Sequence, residues 1–148
     1  MRAGGTPDGA RGHAGLTLIE IMIVVLIIGV LLAIGYPLYQ QQVRESRRAE
    51  AKQVLQRVMQ AQEQFRTDNN TYATDLDGAI GFDNDPVRSR PADWYRVSAA
   101  ACGGGIATCV ALTATPQGDQ ANDDCNAFTL DSRGIRGVTG AASVDDCW

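Results

Sequence analysis

The sequence predicts an α+β fold, a long N-terminal helix whose second half packs on a C-terminal antiparallel sheet of about four strands. Three observations carry this prediction. From Leu16 to Gly35 the chain is apolar for twenty residues, with Glu20 as the sole charge. Ala51, Val54, Leu55, Val58, Gln62 and Phe65 then recur at helical spacing. After Trp94, short stretches alternate apolar and polar residues between turn signals.

A helix of twenty residues is about 30 Å long, the thickness of a bilayer's hydrocarbon core. The stretch from Leu16 is therefore able to span a membrane. A charge inside such a span costs roughly 2.5–3.5 kcal/mol, so Glu20 is a candidate functional residue. Gly29 and Gly35 each weaken a helix by about 1 kcal/mol relative to Ala, and Pro37 by roughly 3 in a helix interior. A plain anchor gains nothing from such weak points. Helical periodicity resumes at Leu38 and runs to about Asp68, with Gln53, Gln56, Gln60, Glu63 and Gln64 on the far side of the apolar stripe. Asp68-Asn69-Asn70 is a helix stop, because Asn tolerates the left-handed conformation.

The segment from Thr71 to Asp93 is rich in Asp, Asn, Gly and Pro and reads as a long surface connection. Strand signals follow at Trp94–Ala99, Cys109–Thr115, Ala127–Leu130 and Ile135–Val138. The last two flank Asp131-Ser132-Arg133-Gly134, a turn ending on Gly. The organisation is thus 1–15 leader, 16–38 membrane helix, 39–70 amphipathic helix and 71–148 head.

Cys102, Cys109, Cys125 and Cys147 all lie in the head. An even count in a short exported domain reads as two disulfides, and four cysteines allow three pairings. A zinc site lacks support, since gaps of 6, 15 and 21 residues hold no close C-x-x-C pair. The leader carries Arg2 and Arg11, whereas the other flank of the apolar stretch carries Arg44, Arg47, Arg48 and Lys52. That charge bias alone points the head inward. Disulfides require an oxidising compartment and point it outward, and they take precedence here.

Several activities are excluded. The only histidine, His13, lies before the apolar stretch, which removes the usual Ser-His-Asp and Cys-His machinery. No phosphate-binding G-x-x-x-x-G-K-[ST] loop occurs. Paired aspartates, including Asp123/Asp124 and Asp145/Asp146, read as solvated turn residues rather than a calcium site. Trp94, Tyr95 and Trp148 read as packing residues. No enzyme activity and no cofactor are expected. After Asp68 there are five basic and eleven acidic residues, a balance that argues against nucleic acid as a partner.

The run G-L-T-L-I-E-I-M-I-V-V-L-I-I-G-V-L-L-A-I-G-Y-P, Gly15 to Pro37, resembles the class III signal and N-terminal helix of type IV pilins and their pseudopilin relatives. Leu16 stands where that family usually has Phe. Tyr36-Pro37-Leu38-Tyr39, Arg47-Arg48-Ala49-Glu50-Ala51, Asn70-Thr71-Tyr72-Ala73, Cys125-Asn126-Ala127-Phe128 and the final Cys147-Trp148 resemble PilE-type minor pilins in particular. The resemblance implies the type IV pilin fold. It implies cleavage by a prepilin peptidase between Gly15 and Leu16, N-methylation of Leu16, an assembly role for Glu20, and loss of helicity between Gly29 and Pro37 on packing into a filament. It also implies disulfides between nearest neighbours, Cys102 with Cys109 and Cys125 with Cys147. The implied partners are other pilin subunits, the peptidase, the inner-membrane pilus assembly machinery and, before assembly, the lipid bilayer. The implied location is a single-pass inner-membrane protein with a periplasmic head, then the extracellular pilus. The expected function is a minor pilin acting in pilus assembly and twitching motility. The alternatives are a pseudopilin of a type II secretion system and a membrane-anchored module that binds a ligand or DNA.

Overall fold

The computed structural model describes residues 17–148. The chain forms two compact units, one up to Tyr39 and one over Gln40–Trp148. Helix α1 (Leu18–Asn69) is a single element of 52 residues, and Pro37 lies inside it. Pro37 withdraws one backbone donor but the turns beside it keep theirs, so helicity is not interrupted where the sequence suggested a weak point. In the first unit every residue from Leu18 to Tyr39 is exposed. One helix among the described residues is long and apolar enough to cross a membrane, and it is this one.

In the second unit α1 buries Ala51, Val54, Leu55, Val58 and Gln62, one stripe at i, i+3, i+4, i+7 and i+11. The helix ends where expected: Asn70 adopts a left-handed φ of 56°, and its N–H donates to the Arg66 carbonyl at 2.8 Å. Beyond it lie β1 (Val87–Arg88), β2 (Tyr95–Ala101), β3 (Val110–Pro116), a 3-10 turn (Gly118–Asn122), β4 (Phe128–Asp131), β5 (Arg136–Val138) and the short helix α2 (Val144–Cys147). The strands form one antiparallel sheet in the order β1-β2-β3-β4-β5.

Alternation puts Tyr95, Val97, Val110, Leu112, Ala114 and Phe128 on the core face with the α1 stripe. Tyr95, Phe128 and Trp148 form a chain of edge-to-face aromatic contacts at 5.8 and 5.7 Å between ring centroids. The opposite face carries the row Ser98, Thr113, Thr129 and Gly137, aligned by strand register. In the β4–β5 turn the Gly134 N–H donates to the Asp131 carbonyl, and Gly134 has φ 82°.

Two sequence expectations need correction. The sheet has five strands, not about four. The additional β1 is two residues long, too short to show an alternation. It lies inside the segment 71–93, which is not simply a surface connection: Tyr72, Leu76 and Val87 join the core. Its backbone groups are met locally, Asp75 accepting from the N–H groups of Asp77 and Gly78, and Asp85 from Leu76.

Leu55 is fully buried. We predict that Leu55→Ala lowers the unfolding free energy by about 2–5 kcal/mol, the usual cost of a core cavity. Denaturant unfolding of the detergent-solubilised chain measures it. A loss under about 1 kcal/mol would be a surface response and would deny this stripe its role as the core.

Candidate processing and assembly site

Gly15 and Leu16, the expected cleavage and methylation positions, lie outside the described residues. Helix α1 starts just beyond them, its first backbone hydrogen bonds accepted at Thr17. The Glu20 N–H donates to Thr17 Oγ1 at 3.2 Å, and the Glu20 carboxylate reaches the Thr17 N–H at 3.5 Å. Thr17 is thus the N-cap and Glu20 sits at N3, a reciprocal capping box that satisfies two end donors and places a negative charge at the positive end of the helix dipole. The T-x-x-E pattern is visible in the sequence as a capping signal, separate from the charge argument that singled out Glu20. Both residues are exposed, so the carboxylate is open to other donors.

Gly29 and Gly35 have open space where a Cβ would be, nothing lying within 4 Å. Among the described residues no contact requires glycine there. The apolar side chains around them are equally unpartnered: Leu26, Leu31 and Ile34 are each more than half exposed.

The head is fastened to α1 by polar contacts that pattern reading missed. Arg48 donates from Nε to Asp123 Oδ2 at 2.8 Å and from a terminal nitrogen to Oδ1 at 2.5 Å, a bidentate pair. The Asp123 side chain is 1% exposed and that of Arg48 19%. Gln120 Nε2 donates to Asp123 Oδ2 at 2.8 Å and to the Tyr95 hydroxyl oxygen at 3.1 Å. Burial alone would raise the Asp123 carboxyl, but the hydrogen bonds and charge of Arg48 override it and hold the group below its usual range. The Asp123 hydrogen bond raises Arg48 in turn, and burial pushes the Tyr95 hydroxyl up to about 12. Asp123 is therefore not the solvated turn residue its Asp-Asp context suggested, whereas Asp124 is exposed.

Gln62, the polar residue in the apolar stripe, is fully buried. Its amide receives the Ala73 N–H at 3.0 Å and donates to the Ala73 carbonyl at 2.6 Å, which stitches the chain after α1 back onto it. Lys52 donates to the Trp148 carbonyl at 3.1 Å, and the Trp148 indole N–H donates to the Gly137 carbonyl at 3.0 Å. Arg47 lies 3.5 Å from the centre of the Trp94 ring.

The cysteines are joined as Cys102–Cys109 and Cys125–Cys147, with Cα separations of 5.2 and 5.9 Å. The first closes the β2–β3 hairpin and the second ties the start of β4 to α2. Cys102, Cys109 and Asp131 cluster, but both sulfurs are bonded to each other. Asp131 accepts from the N–H groups of Arg133 and Ile135. Nothing in that cluster is left to hold a cation.

A helix long and apolar enough to cross a membrane, with one carboxylate at its start and a disulfide-stapled antiparallel sheet on its second half, is the architecture of the pilin class. Comparison with known proteins agrees. The family profile described as "Type IV minor pilin ComP, DNA uptake sequence receptor" matches residues 37–129, and the prokaryotic N-terminal methylation motif matches residues 10–36. The chain belongs to the type IV pilins, in the family of ComP-like minor pilins that the first profile describes. It is similar to the type IV major pilin protein PilA of Myxococcus xanthus (strain DK1622), 44% identical over 89 residues, 60% of this chain and 39% of PilA. The match thus spans about two-fifths of that relative's length. A solved type IV pilin from Shewanella oneidensis aligns at TM-score 0.49 and 26% identity over 71% of this chain and 97% of that one.

The pKa shifts predict how stability follows pH. Asp123 and Asp131 both sit below the ordinary carboxyl value, Asp131 against its own burial through the Ile135 and Arg133 hydrogen bonds. Lowered folded values mean stabilisation present above the unfolded carboxyl pKa of about 4 and lost as pH falls through the folded ones. Unfolding free energy should fall below about pH 4, and Asp123→Asn should flatten that dependence. At pH 7 the variant leaves Arg48 without its partner. The cost should sit at or below the lower end of about 3–5 kcal/mol, because Arg48 retains some solvent. Denaturant titrations across pH measure both. An unchanged acid slope in the variant would contradict the pairing.

Proposed function

We propose that this chain is a minor pilin, a structural subunit of the type IV pilus that acts in pilus assembly and twitching motility. The observation that carries the reading is the run of exposed apolar side chains from Leu18 to Tyr39 with Glu20 as its single charge. Such a surface needs lipid first and neighbouring subunits later. A prepilin peptidase cuts between Gly15 and Leu16, and the new amine is methylated, a modification that keeps its charge. The N-terminal methylation motif over residues 10–36 supports this. The head is periplasmic while the helix is in the inner membrane, where the assembly machinery receives it, and extracellular in the pilus. The two disulfides suit that side of the membrane.

Glu20 serves assembly. In the single chain its carboxylate caps its own helix. In a filament it pairs with the N-terminal amine of a neighbouring subunit and sets the stagger. Gly29 and Pro37 bound the stretch that loses helicity during packing. The open space at Gly29 supports a role outside the isolated chain, because glycine is not required within it.

A second reading is DNA capture, favoured by the description of the matched family as a DNA uptake sequence receptor. The acidic balance of the head counts against it. Binding of duplex DNA that weakens linearly with the logarithm of salt concentration would favour this reading.

Two measurements test the first reading. Intact mass of the chain from membranes should lack Met1–Gly15 and carry one added methyl. A mass that retains the leader contradicts the processing. Glu20→Ala should remain inserted and processed, since it removes a charge that the bilayer interior disfavours. It should be lost from sheared filaments, because an unpaired buried charge costs about 3–5 kcal/mol. Wild-type amounts of the variant in filaments would reduce Glu20 to a helix cap, worth about 0.3–1 kcal/mol.

A further inference from the structure

The buried stripe of α1 does not end at Ala51. The same i, i+3, i+4, i+7 spacing continues toward the N-terminus as Arg44, Arg47 and Arg48. The helix face that carries the sheet is therefore apolar in its later turns and basic in its earlier ones. The three arginines are half-buried, as is Lys52 one turn further on. Strand β5 adds Arg136, close enough for its charge to act on Lys52. The chain's two tryptophans lie under this group. Arg47 is 3.5 Å from the centre of the Trp94 ring, and Arg136 is 5.1 Å from that of Trp148.

Most of this charge is not neutralised. Among the described residues only Arg48 of the five cations has a carboxylate partner, Asp123. The carboxylates of the same helix segment are engaged elsewhere. Glu45 accepts from the Gln41 amide at 3.1 Å, and Glu50 from the Ser89 hydroxyl at 3.2 Å. Asp124, Asp145 and Asp146 are exposed and pair with none of the five. Burial lowers the Lys52 pKa first, and the charges of Arg48 and Arg136 lower it further. An anion placed among these groups would relieve both effects.

The cations follow the apolar span closely in the chain. Tyr36 and Tyr39, at the end of that span, are 63% and 68% exposed, as aromatic residues of a membrane interface are. Arg44 is five residues beyond Tyr39, and five residues reach at most about 18 Å. We propose that this basic surface of the head docks, before assembly, on anionic phospholipids of the leaflet on its own side of the membrane. Arg44, Arg47, Lys52 and Arg136 meet lipid phosphates, and the two indoles sit among the headgroups, where tryptophan is favoured. Arg48 stays with Asp123 and holds the sheet on the helix. The basic flank that ran against an outward head by the charge rule thereby acquires a use. The contact belongs to the bilayer state and is given up when the subunit leaves the membrane. The inference rests on the membrane-bound stage of the subunit reading, and its test can fail without that reading failing.

Trp94 and Trp148, the only tryptophans, report on the contact directly. The full-length chain is placed in lipid nanodiscs of phosphatidylcholine, alone or with phosphatidylglycerol. All discs hold the same share of a phosphatidylcholine with a nitroxide on its headgroup, which quenches an indole only at short range. Tryptophan quenching should rise with phosphatidylglycerol content. It should fall back at about 1 M salt, where screening acts within about 3 Å. A cation near an anionic surface contributes about 1 kcal/mol, about fivefold in the docking equilibrium. Arg44→Gln with Arg47→Gln should therefore lower that equilibrium roughly tenfold or more. Arg44→Lys with Arg47→Lys should keep most of it, which separates loss of charge from a folding defect. Quenching indifferent to phosphatidylglycerol would overturn the proposal. So would a glutamine variant that docks like wild type, or a lysine variant that loses as much as the glutamine one. Duplex DNA that shields the tryptophans in discs of phosphatidylcholine alone, with no effect of phosphatidylglycerol, would also overturn it and assign the surface to nucleic acid. A chain that docks as predicted yet never reaches sheared filaments would instead defeat the subunit reading and leave the docking in place.

Discussion

Everything in this molecule answers to the exposed apolar surface that runs from Leu18 to Tyr39. Leaving such side chains in water costs about 25 cal/mol for each Å² of apolar surface, so the segment requires lipid or other proteins at every stage. Within a bilayer its backbone is satisfied by its own helix. The one group the bilayer would reject is the Glu20 carboxylate, and the capping box with Thr17 gives that charge an occupation at the helix start. A carboxylate that is both exposed and locally satisfied is poised for exchange. On the proposed assembly role, a better donor from a neighbouring subunit would displace a long contact to Thr17 without leaving the charge bare in the interval.

The head solves a different problem, which is to hold a small sheet on the second half of the helix with a modest core. Five residues of α1 are buried. Around that stripe the chain adds directional contacts: Arg48 to Asp123, Gln62 to Ala73 and Lys52 to Trp148. Such pairs contribute less through net energy than through what their absence costs, because each buries a group that needs its partner. The Cys125–Cys147 bond then fixes the far end of the chain against the start of β4 and restricts the unfolded ensemble. Helix and sheet are thus joined in one defined register.

Much of this was legible in the sequence, for physical reasons. The α1 stripe has a period that only a helix uses, and β2, β3 and β4 alternate because one face is core. The stop at Asn70 and the turn at Gly134 were legible because few residues tolerate those backbone angles. What escaped reading was contact between distant parts of the chain. Arg48 looked like one of several flanking charges, and Asp123 like half of an acidic pair. Their meeting depends on the 3-10 turn after β3, which has no local signature. Gln62 looked like an intruder because its partner is a backbone group eleven residues on. Strand β1 is too short for periodicity to register. The capping role of Glu20 was present in the spacing from Thr17 but overshadowed by the rarity of a charge in an apolar run.

The central claim is that Glu20 changes partner, from its own helix end to the amine of a neighbouring subunit. Solid-state NMR on filaments tests it most directly. This chain would carry ¹³C at its glutamate carboxylates, and the subunits around it would carry ¹⁵N at their N-terminal amines. The account predicts dipolar coupling between the Glu20 carboxylate carbon and a neighbour's amine nitrogen, at the separation of about 4 Å expected for an ion pair. Filaments that contain the labelled chain and show no such coupling would contradict it.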